Sequence, residues 1–302
     1  MHIKKLLLII GIALCGTWFA CAAGRRLSPD GAMFLESSPV RVRLEGDVAC
    51  RMKACRERHV GATDAQRFAE VFESRTEKTG WQGEFWGKYM LGAAAFYAQD
   101  PDPVLLDKMN ASTARVISTQ DADGYLGNYA PECRFDGRWS IWCMKYTLEG
   151  LLAHYAVAQD KKSLSAAERL AGLLMKEFSS GRRELRKTGV CHSLPSCSIL
   201  ESFVRLFRLT GKNEYLDFSR YIVAQLDEAE DSARLIRDAL AGVDVAERDP
   251  QEKINCQSSR KAYEMMSCCV GLLEYYGVTG EKRCLDSVAC GGHHGQHLFG
   301  TS

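Results

Sequence analysis

The sequence predicts an all-α fold built from repeated helical hairpins. Residues 205–223 read RLFRLTGKNEYLDFSRYIV and residues 273–288 read LEYYGVTGEKRCLDSV, so both contain an apolar helix, a Thr-Gly pair, a charged turn and a returning helix. A weaker copy at residues 151–174 keeps this frame without Thr-Gly. Such self-similarity marks repeated supersecondary units. The chain after Trp81 also has few strand-like alternations, which favours helices.

The first helix of each copy has apolar residues at i, i+3, i+4 and i+7, a spacing that lines one face of an α-helix. The three sets are Leu148, Leu151, Leu152 and Tyr155; Leu200, Phe203, Val204 and Phe207; and Met266, Cys269, Val270 and Leu273. Gly211 and Gly280 stand where a helix C-cap needs positive φ, which glycine adopts without strain. These repeated residues therefore specify packing and turns.

Residues 1–23 are predicted to be a secretory signal peptide, with a basic start, an apolar run and small residues at Ala20-Cys21-Ala22. A lipoprotein anchor at Cys21 is the alternative. We therefore expect an exported protein, periplasmic or extracellular, with no further stretch apolar enough to span a membrane. Val40, Val42 and Leu44 alternate with polar residues and predict a short extended arm, after which Thr63 or Asp64 caps a helix.

Charge and cysteine content narrow the class of protein. The formal net charge is +1 with no basic stripe, which argues against nucleic acid and acidic membrane surfaces as partners. Of thirteen cysteines, two lie in the signal region, and an odd number remains. Many of these occupy helix-packing positions, so we expect mostly buried thiols, with a bridge such as Cys50–Cys55 or Cys191–Cys197.

Three segments between the predicted hairpins combine aromatic and polar residues. They are GWQGEFWGKYM at 80–90, STQDADGYLGNYAPE at 118–132 and RFDGRWSIWCMKY at 134–146. A sugar offers an apolar C–H face and a rim of hydroxyls, which planar rings beside amides and carboxylates can bind together. Each aromatic residue by itself also fits a role in the core. The recurrence of three clusters, each before a repeat helix, favours a shared ligand face.

These segments, together with WCMKYTLEGLLAHY, SCSILESFVRLFRLTGKNEYLDFSRYIV and KAYEMMSCCVGLLEYYGVTGEKRCLDSV, resemble successive blocks of the β-L-arabinofuranosidase family, glycoside hydrolase family 127 and its relatives. The resemblance runs from residue 38 to 288 and covers the N-terminal part of the catalytic domain. It implies an (α/α)6 toroid, usually followed by β-sandwich domains. It also implies release of terminal L-arabinofuranose from glycans by a glutamate acid/base and a zinc-held cysteine nucleophile.

The final residues, ACGGHHGQHLFGTS, match nothing in that family. We expect an incomplete toroid of about four hairpins at 38–288, followed by a disordered tail at 289–302. Leu285 and Val288 should then be unusually exposed, because the next hairpin is missing. No residue matches the catalytic glutamate, the nucleophile or the zinc ligands, so we assign no catalytic residue and expect this chain to be inactive alone.

Zinc is a cofactor that the resemblance implies but for which the sequence supplies no ordered ligand set. Cys268 and Cys269 point about 100° apart on a helix, and the apolar stripe takes Cys269. His293, His294 and His297 lie on a Gly-rich tail without fixed geometry. We therefore expect no metal site in this chain.

The candidate carbohydrate-binding residues are Gln120, Asp123, Tyr125, Tyr146 and Glu264, which we expect to converge at one end of the helical array. Three glutamates fall in first helices of the hairpins. We expect Glu264 and Glu201 to point inward with hydrogen bonds, and Glu149 to lie on the surface. The partner is predicted to be an arabinose-containing glycan. The alternatives are a non-catalytic carbohydrate-binding scaffold and a related six-hairpin glycosidase, such as an unsaturated glucuronyl hydrolase.

Overall fold

The computed structural model describes residues 44–179, 181–228, 232–243 and 261–298, with side chains up to residue 290. Within these ranges the protein is all-α, as predicted, and the only β-type pairing is an isolated bridge between Glu77 and Tyr129. The signal peptide, the lipoprotein cysteine and most of the extended arm lie outside the described residues. None of the described helices is long and apolar enough to cross a membrane.

Four helical hairpins form the body of the molecule. They are α3 (Glu84–Gln99) with α4 (Pro103–Ser118), α5 (Ser140–Ala158) with α6 (Lys161–Ser179), α8 (Leu200–Thr210) with α9 (Asn213–Asp227), and α11 (Ala262–Thr279) with α12 (Lys282–Leu298). The shorter helices are α1 (Gly46–Cys55), α2 (Glu70–Ser74), α7 (Leu194–Cys197) and α10 (Leu235–Leu240). A 3-10 turn at Ala65–Ala69 leads into α2, and Asp64 caps it by accepting from the Gln66 amide.

The first helices of the hairpins make an inner layer, and the second helices make an outer one. Along the inner layer α3 packs on α5, α5 on α7 and α8, and α8 on α11. The outer helices α4, α6 and α9 follow the same order, and α10 bridges α9 to α12. The result is an arc of hairpins wrapped around one continuous core that reaches from Ala69 to Cys284.

The hairpin turns end as the sequence predicts where glycine is present. Helix α8 stops at Gly211 with φ 70°, and α11 stops at Gly280 with φ 71°. The copy without Thr-Gly uses Gln159 at φ 53° instead. Its backbone amide donates to the Tyr155 carbonyl at 2.9 Å, and its side-chain Nε2 donates to the carbonyls of Tyr155 at 3.2 Å and Ala156 at 3.1 Å. The side chain therefore adds to the capping of the helix end.

Helix α5 is the centre of the array, and small residues let it approach α3 closely. A Cβ added at Gly87 would lie 1.9 Å from the Tyr146 carbonyl oxygen. A Cβ at Gly150 would lie 2.7 Å from the Trp86 ring. The two inner helices therefore touch backbone to backbone, which fixes the N-terminal ends of α3 and α5 relative to each other.

The predicted apolar stripe of the third copy is wrong. Met266 is 64% exposed and Val270 is 43% exposed, whereas Cys268 and Leu272 are buried. Gly271 decides this register, because a Cβ there would lie 3.0 Å from the Leu200 side chain. Close packing of α11 against α8 at Gly271 stabilises this orientation more than burial of Met266 and Val270 would. The side chains of Met266 and Val270 therefore face outward.

Two predictions about the chain end also differ from the structure. Leu285 and Val288 are partly buried against the core, so the exposed apolar face lies on α11 rather than on α12. Helix α12 runs to Leu298, whereas the sequence predicts disorder from residue 289. Extending a helix already formed costs less than starting one, and this favours continuation despite the glycines. Residues 299–302 lie outside the described residues.

The ten cysteines in the described part of the chain carry thiols, so the suggested Cys50–Cys55 and Cys191–Cys197 bridges are absent there. Cys50 and Cys55 lie on a single helix, α1, and both are exposed. Five residues apart, they project to different sides of that helix. Cys197 and Cys268 are buried as small apolar side chains, in agreement with the predicted packing role.

Candidate functional site

Five aromatic rings meet at the N-terminal ends of the inner helices, and we call them the aromatic cluster. They are Trp81, Trp139, Trp142, Tyr146 and Tyr263. Ring centroids lie 6.1 Å apart for Trp81–Trp139, 6.0 Å for Trp139–Trp142, 5.1 Å for Trp142–Tyr146 and 5.5 Å for Trp142–Tyr263, all edge to face. The segment before α3, helix α5 with its N-cap Trp139, and helix α11 thus contribute rings to one site.

The cluster has a buried centre and two open sides. Trp142 and Tyr146 are buried, while Trp81 is 48% exposed and Tyr263 is 53% exposed. Large aromatic rings at the surface are informative when they adjoin other rings rather than stand alone. Here the exposed rings flank the buried ones, which gives a wall on which a flat apolar face can stack.

Three lysines lie over these rings. The Nζ of Lys88 is 4.8 Å from the Tyr146 centroid and 5.1 Å from that of Tyr263. The Nζ of Lys145 is 5.0 Å from Tyr146 and 5.1 Å from Trp142. The Nζ of Lys261 lies 5.0 Å from the Trp139 ring. Ammonium groups at these distances are attracted by the ring faces.

Two carboxylates complete the site. Glu84 accepts a hydrogen bond from Trp142 Nε1 and forms an ion pair with Lys88 at 2.9 Å. Glu264 is buried, and its Oε1 accepts from Lys261 Nζ at 3.2 Å. Its Oε2 is also buried and has no hydrogen-bond partner among the described residues. A buried acceptor without a donor is costly, so this oxygen is suited to a hydroxyl from a ligand.

The tyrosine hydroxyls join the two sides of the site. Tyr146 and Tyr263 share a hydrogen bond of 2.6 Å between their hydroxyl oxygens. Burial, followed by this hydrogen bond, raises the pKa of Tyr146 well above its usual value. The phenol therefore stays protonated and serves as a neutral donor and acceptor.

The loop after α4 is held by ion pairs. Arg75 and Arg134 each lie 2.6 Å from a carboxylate oxygen of Asp121. Burial raises the pKa of Asp121, but the hydrogen bonds from both arginines outweigh it and lower that pKa below its usual value. The same guanidinium groups lie 4.0 Å (Arg134) and 5.6 Å (Arg75) from the centre of the Tyr125 ring. Tyr125 is fully buried.

Gln120 and Asp123 shape this loop from within. The Nε2 of Gln120 donates to the carbonyls of Gly124 and Ala166, each at 2.9 Å. Asp123 Oδ1 accepts from the Tyr125 amide at 2.9 Å, as in an Asx turn. These contacts tie the loop together and to the outer helix α6.

Tyr129 connects the loop to the aromatic cluster. Its hydroxyl donates to the Gly80 carbonyl at 2.6 Å and accepts from the Trp139 amide at 3.1 Å. Its own amide donates to the Tyr125 hydroxyl at 3.0 Å. Of the five predicted residues, Tyr146 belongs to the aromatic cluster and Glu264 borders it through Lys261. Tyr125 is linked to it through Tyr129.

The sequence segment 80–90 sets Glu84 and Lys88 among aromatic residues, whereas no sequence pattern singles out Lys145, Lys261 or Tyr263. Lys88 and Lys145 stand in the quoted aromatic segments, four residues after Glu84 and one before Tyr146. That i, i+4 spacing from Glu84 is the signal that could have marked Lys88 as part of an ion pair on α3. Tyr263 could not be placed, because only the packing of α11 brings it to α5.

The prediction that Glu149 lies on the surface is wrong. Glu149 is buried, and it accepts from Ser202 Oγ at 2.6 Å and from Arg205. Glu201 is mostly buried, and its nearest cation is Arg205 at 3.9 Å. Burial, followed by the charge of Glu149, raises the pKa of Glu201. These carboxylates join α5 to α8, and only Glu264 of the three reaches the aromatic cluster.

The described residues do not fit the zinc site that the sequence resemblance implies. No group of three or more His, Cys, Asp or Glu side chains suited to a metal occurs among them. Cys268 is buried and its thiol lies 3.2 Å from the Leu194 carbonyl, while Cys269 is only partly buried. The packed cysteine is thus Cys268, whereas the apolar stripe predicts Cys269. We therefore assign no chemical step to a metal.

Comparisons with known proteins agree on the family. The model of the GH127 β-L-arabinofuranosidase catalytic domain matches residues 42–289. A GH127 β-L-arabinofuranosidase from Geobacillus stearothermophilus T6 superposes with a TM-score of 0.53 at 14% identity, over 80% of this chain and 41% of the other. A second GH127 β-arabinofuranosidase gives 0.53 at 20% identity, over 81% and 39%.

At these identities the two solved structures show a shared fold, a helical toroid. This chain spans 41% of the length of the first structure and 39% of the length of the second. No curated protein sequence matches it significantly. The family match covers most of the chain and agrees with the inner and outer hairpin layers, so the chain belongs to the GH127 β-L-arabinofuranosidase catalytic-domain family.

Proposed function

We propose that this chain carries the sugar-binding face of a β-L-arabinofuranosidase-type glycoside hydrolase, and that the aromatic cluster binds a sugar of an arabinose-containing glycan. Membership of a glycoside hydrolase family supports a carbohydrate ligand. The observation that carries the proposal is the pair of exposed rings, Trp81 and Tyr263, beside the unpartnered Oε2 of Glu264.

The chemistry of the site suits a sugar. The C–H face of a sugar ring stacks on an aromatic ring, and its hydroxyls need acceptors and donors nearby. Glu264 Oε2 offers an acceptor, and the linked hydroxyls of Tyr146 and Tyr263 offer both roles. The Tyr129 contacts hold Trp139 in place from behind. In this proposal the loop that contains Gln120, Asp123 and Tyr125 holds the rings of the aromatic cluster in position.

Catalysis is not assigned to any described residue. The absence of arabinofuranosidase activity in this chain alone stays a prediction, as does export by the N-terminal signal. The affinity of the chain for a sugar therefore tests the proposed function.

We expect Trp81→Ala and Tyr263→Ala each to weaken binding of methyl β-L-arabinofuranoside about tenfold, since one stacked ring is worth about 1.4 kcal/mol. Both side chains are about half exposed, so their removal should leave the fold intact. Isothermal titration calorimetry on the purified chain measures the dissociation constants.

Val104→Ala is the matched control, because Val104 is 66% exposed on the outer helix α4 and should leave binding unchanged. Circular dichroism confirms the fold of each variant. If the unmodified chain shows no binding, or if both ring variants bind as tightly as Val104→Ala, the aromatic cluster is not a sugar site.

A further inference from the structure

Lys145 is a buried cation that lacks a counter-ion. Its side chain is 3% exposed, on the inner helix α5. Its Nζ lies over the rings of Trp142 and Tyr146, and no described residue forms an ion pair or hydrogen bond with it. Its Nζ lies beyond the 4.0 Å limit of an ion pair from the Glu201 carboxylate, whose ion-pair partner is Arg205.

The other two lysines of the cluster are different. Lys88 pairs with Glu84 at 2.9 Å, and Lys261 pairs with Glu264 at 3.2 Å. Both are more exposed, with 33% and 40% of their side chains accessible. Lys145 is therefore the most buried of the three, and it is the one without a carboxylate partner among the described residues.

This arrangement is unfavourable unless an anion completes it. A buried ammonium group loses most of its hydration, and contact with aromatic ring faces compensates only part of that loss. A bound anion would supply the missing partner.

Glu264 and Lys145 border the same pair of tryptophan rings. Lys261, the ion-pair partner of Glu264, lies 5.0 Å from the Trp139 ring, and the Nζ of Lys145 lies 5.1 Å from the neighbouring Trp142 ring. The hydroxyls of Tyr146 and Tyr263, each next to one of these residues in sequence, are 2.6 Å apart. Lys145 thus lacks an anion, and Glu264 Oε2 lacks a hydrogen-bond donor, among the described residues.

We propose that Lys145 and Glu264 form a subsite for an acidic sugar, in which Lys145 binds the carboxylate of a uronic acid residue and Glu264 Oε2 accepts one of its hydroxyls. This inference rests on the proposed sugar-binding function and adds the chemical class of one glycan residue. Tyr263, which precedes Glu264 and shares a hydrogen bond with Tyr146, is 53% exposed.

D-galacturonic acid and D-galactose are the probes, since they differ only in a carboxylate in place of a hydroxymethyl group at C6. We expect the unmodified chain to bind galacturonate at least tenfold more tightly than galactose in calorimetry, a difference of about 1.4 kcal/mol. Lys145→Met should remove that preference and leave galactose binding within about twofold, whereas Lys145→Arg should keep at least part of it.

Lys162→Met is the control for net charge, because Lys162 is exposed on the outer helix α6. It should keep the full preference. Should Lys145→Met fail to fold by circular dichroism, Lys145→Arg and the salt dependence of galacturonate binding to the unmodified chain decide the question, since an ammonium–carboxylate contact weakens with added salt.

The outcomes separate the two proposals. Equal affinity for the two probes, or an unchanged preference in Lys145→Met, overturns the acidic subsite, and binding of methyl β-L-arabinofuranoside then still supports the sugar site. Absence of binding by all three sugars overturns both.

Discussion

At the scale of single residues, the structure gives polar groups specific partners inside the helical layers. His154 illustrates this on α5, where its ring is 1% exposed. Its Nε2 lies 2.8 Å from Asn110 Oδ1, and its Nδ1 lies 2.7 Å from Ser163 Oγ. Because an amide oxygen only accepts, Nε2 carries a proton. Burial lowers the pKa of the imidazole, which favours the neutral form, in which Nδ1 accepts from the Ser163 hydroxyl. The imidazole is thus neutral and fully hydrogen-bonded.

His154 should make stability depend on pH. Burial lowers its pKa in the folded protein below the usual 6.5, so the unfolded chain binds its proton more readily. The folded state therefore has its full stability above about pH 6.5 and loses it as the pH falls towards the lowered pKa. We expect the slope to reach at most about 1.4 kcal/mol per pH unit in urea unfolding.

His154→Gln should flatten the stability profile of the chain below about pH 6.5, although it will also lower stability at all pH values. His59→Gln is the control, because His59 is exposed on the surface. A profile for His154→Gln with the same slope as the unmodified chain would show that His154 does not titrate with unfolding.

At the scale of elements, glycines determine how the hairpins turn and how closely they pack. Gly211 ends α8 at φ 70°, with open space around the position of a Cβ. Gly172 lies within α6, again with nothing within 4 Å of that position. The two sites differ in backbone conformation and not in crowding, so they separate the cost of positive φ from the cost of packing.

We expect Gly211→Ala to destabilise the chain by about 1 kcal/mol, because alanine is strained in the left-handed region. Gly172→Ala should stabilise it by about 0.5–1 kcal/mol, since alanine favours a helix interior. Urea unfolding followed by circular dichroism measures both values. Changes of the same sign in the two variants would contradict this account of the hairpin turn.

At the scale of the whole molecule, one core joins all four hairpins. Its buried residues run from Ala69 beside α2 to Cys284 in α12. Hairpins of repeat proteins stabilise each other through their interfaces with neighbours. Here α5 contacts α3, α6, α7 and α8, so no hairpin has a separate core among the described residues.

We therefore expect the hairpins to unfold together. The tryptophans of the described chain, Trp81, Trp86, Trp139 and Trp142, report on the first two hairpins, whereas far-ultraviolet circular dichroism reports on all helices. The two signals should show the same midpoint in urea, because coincidence of different probes is the test of one cooperative transition. Midpoints that differ would show that the third and fourth hairpins unfold separately.

The sequence by itself determined the hairpin repeat, the α8 and α11 caps and the aromatic segments, because helical periodicity and glycine caps are local properties. The tertiary structure alone decided which face of α11 is buried, where Gly271 allows contact with Leu200 and turns Met266 outward. It also decided that Glu149 is buried against Ser202 and that Lys145 faces two rings without a counter-ion among the described residues. These features depend on which side chains from distant segments meet, and a local pattern carries no information on such pairings.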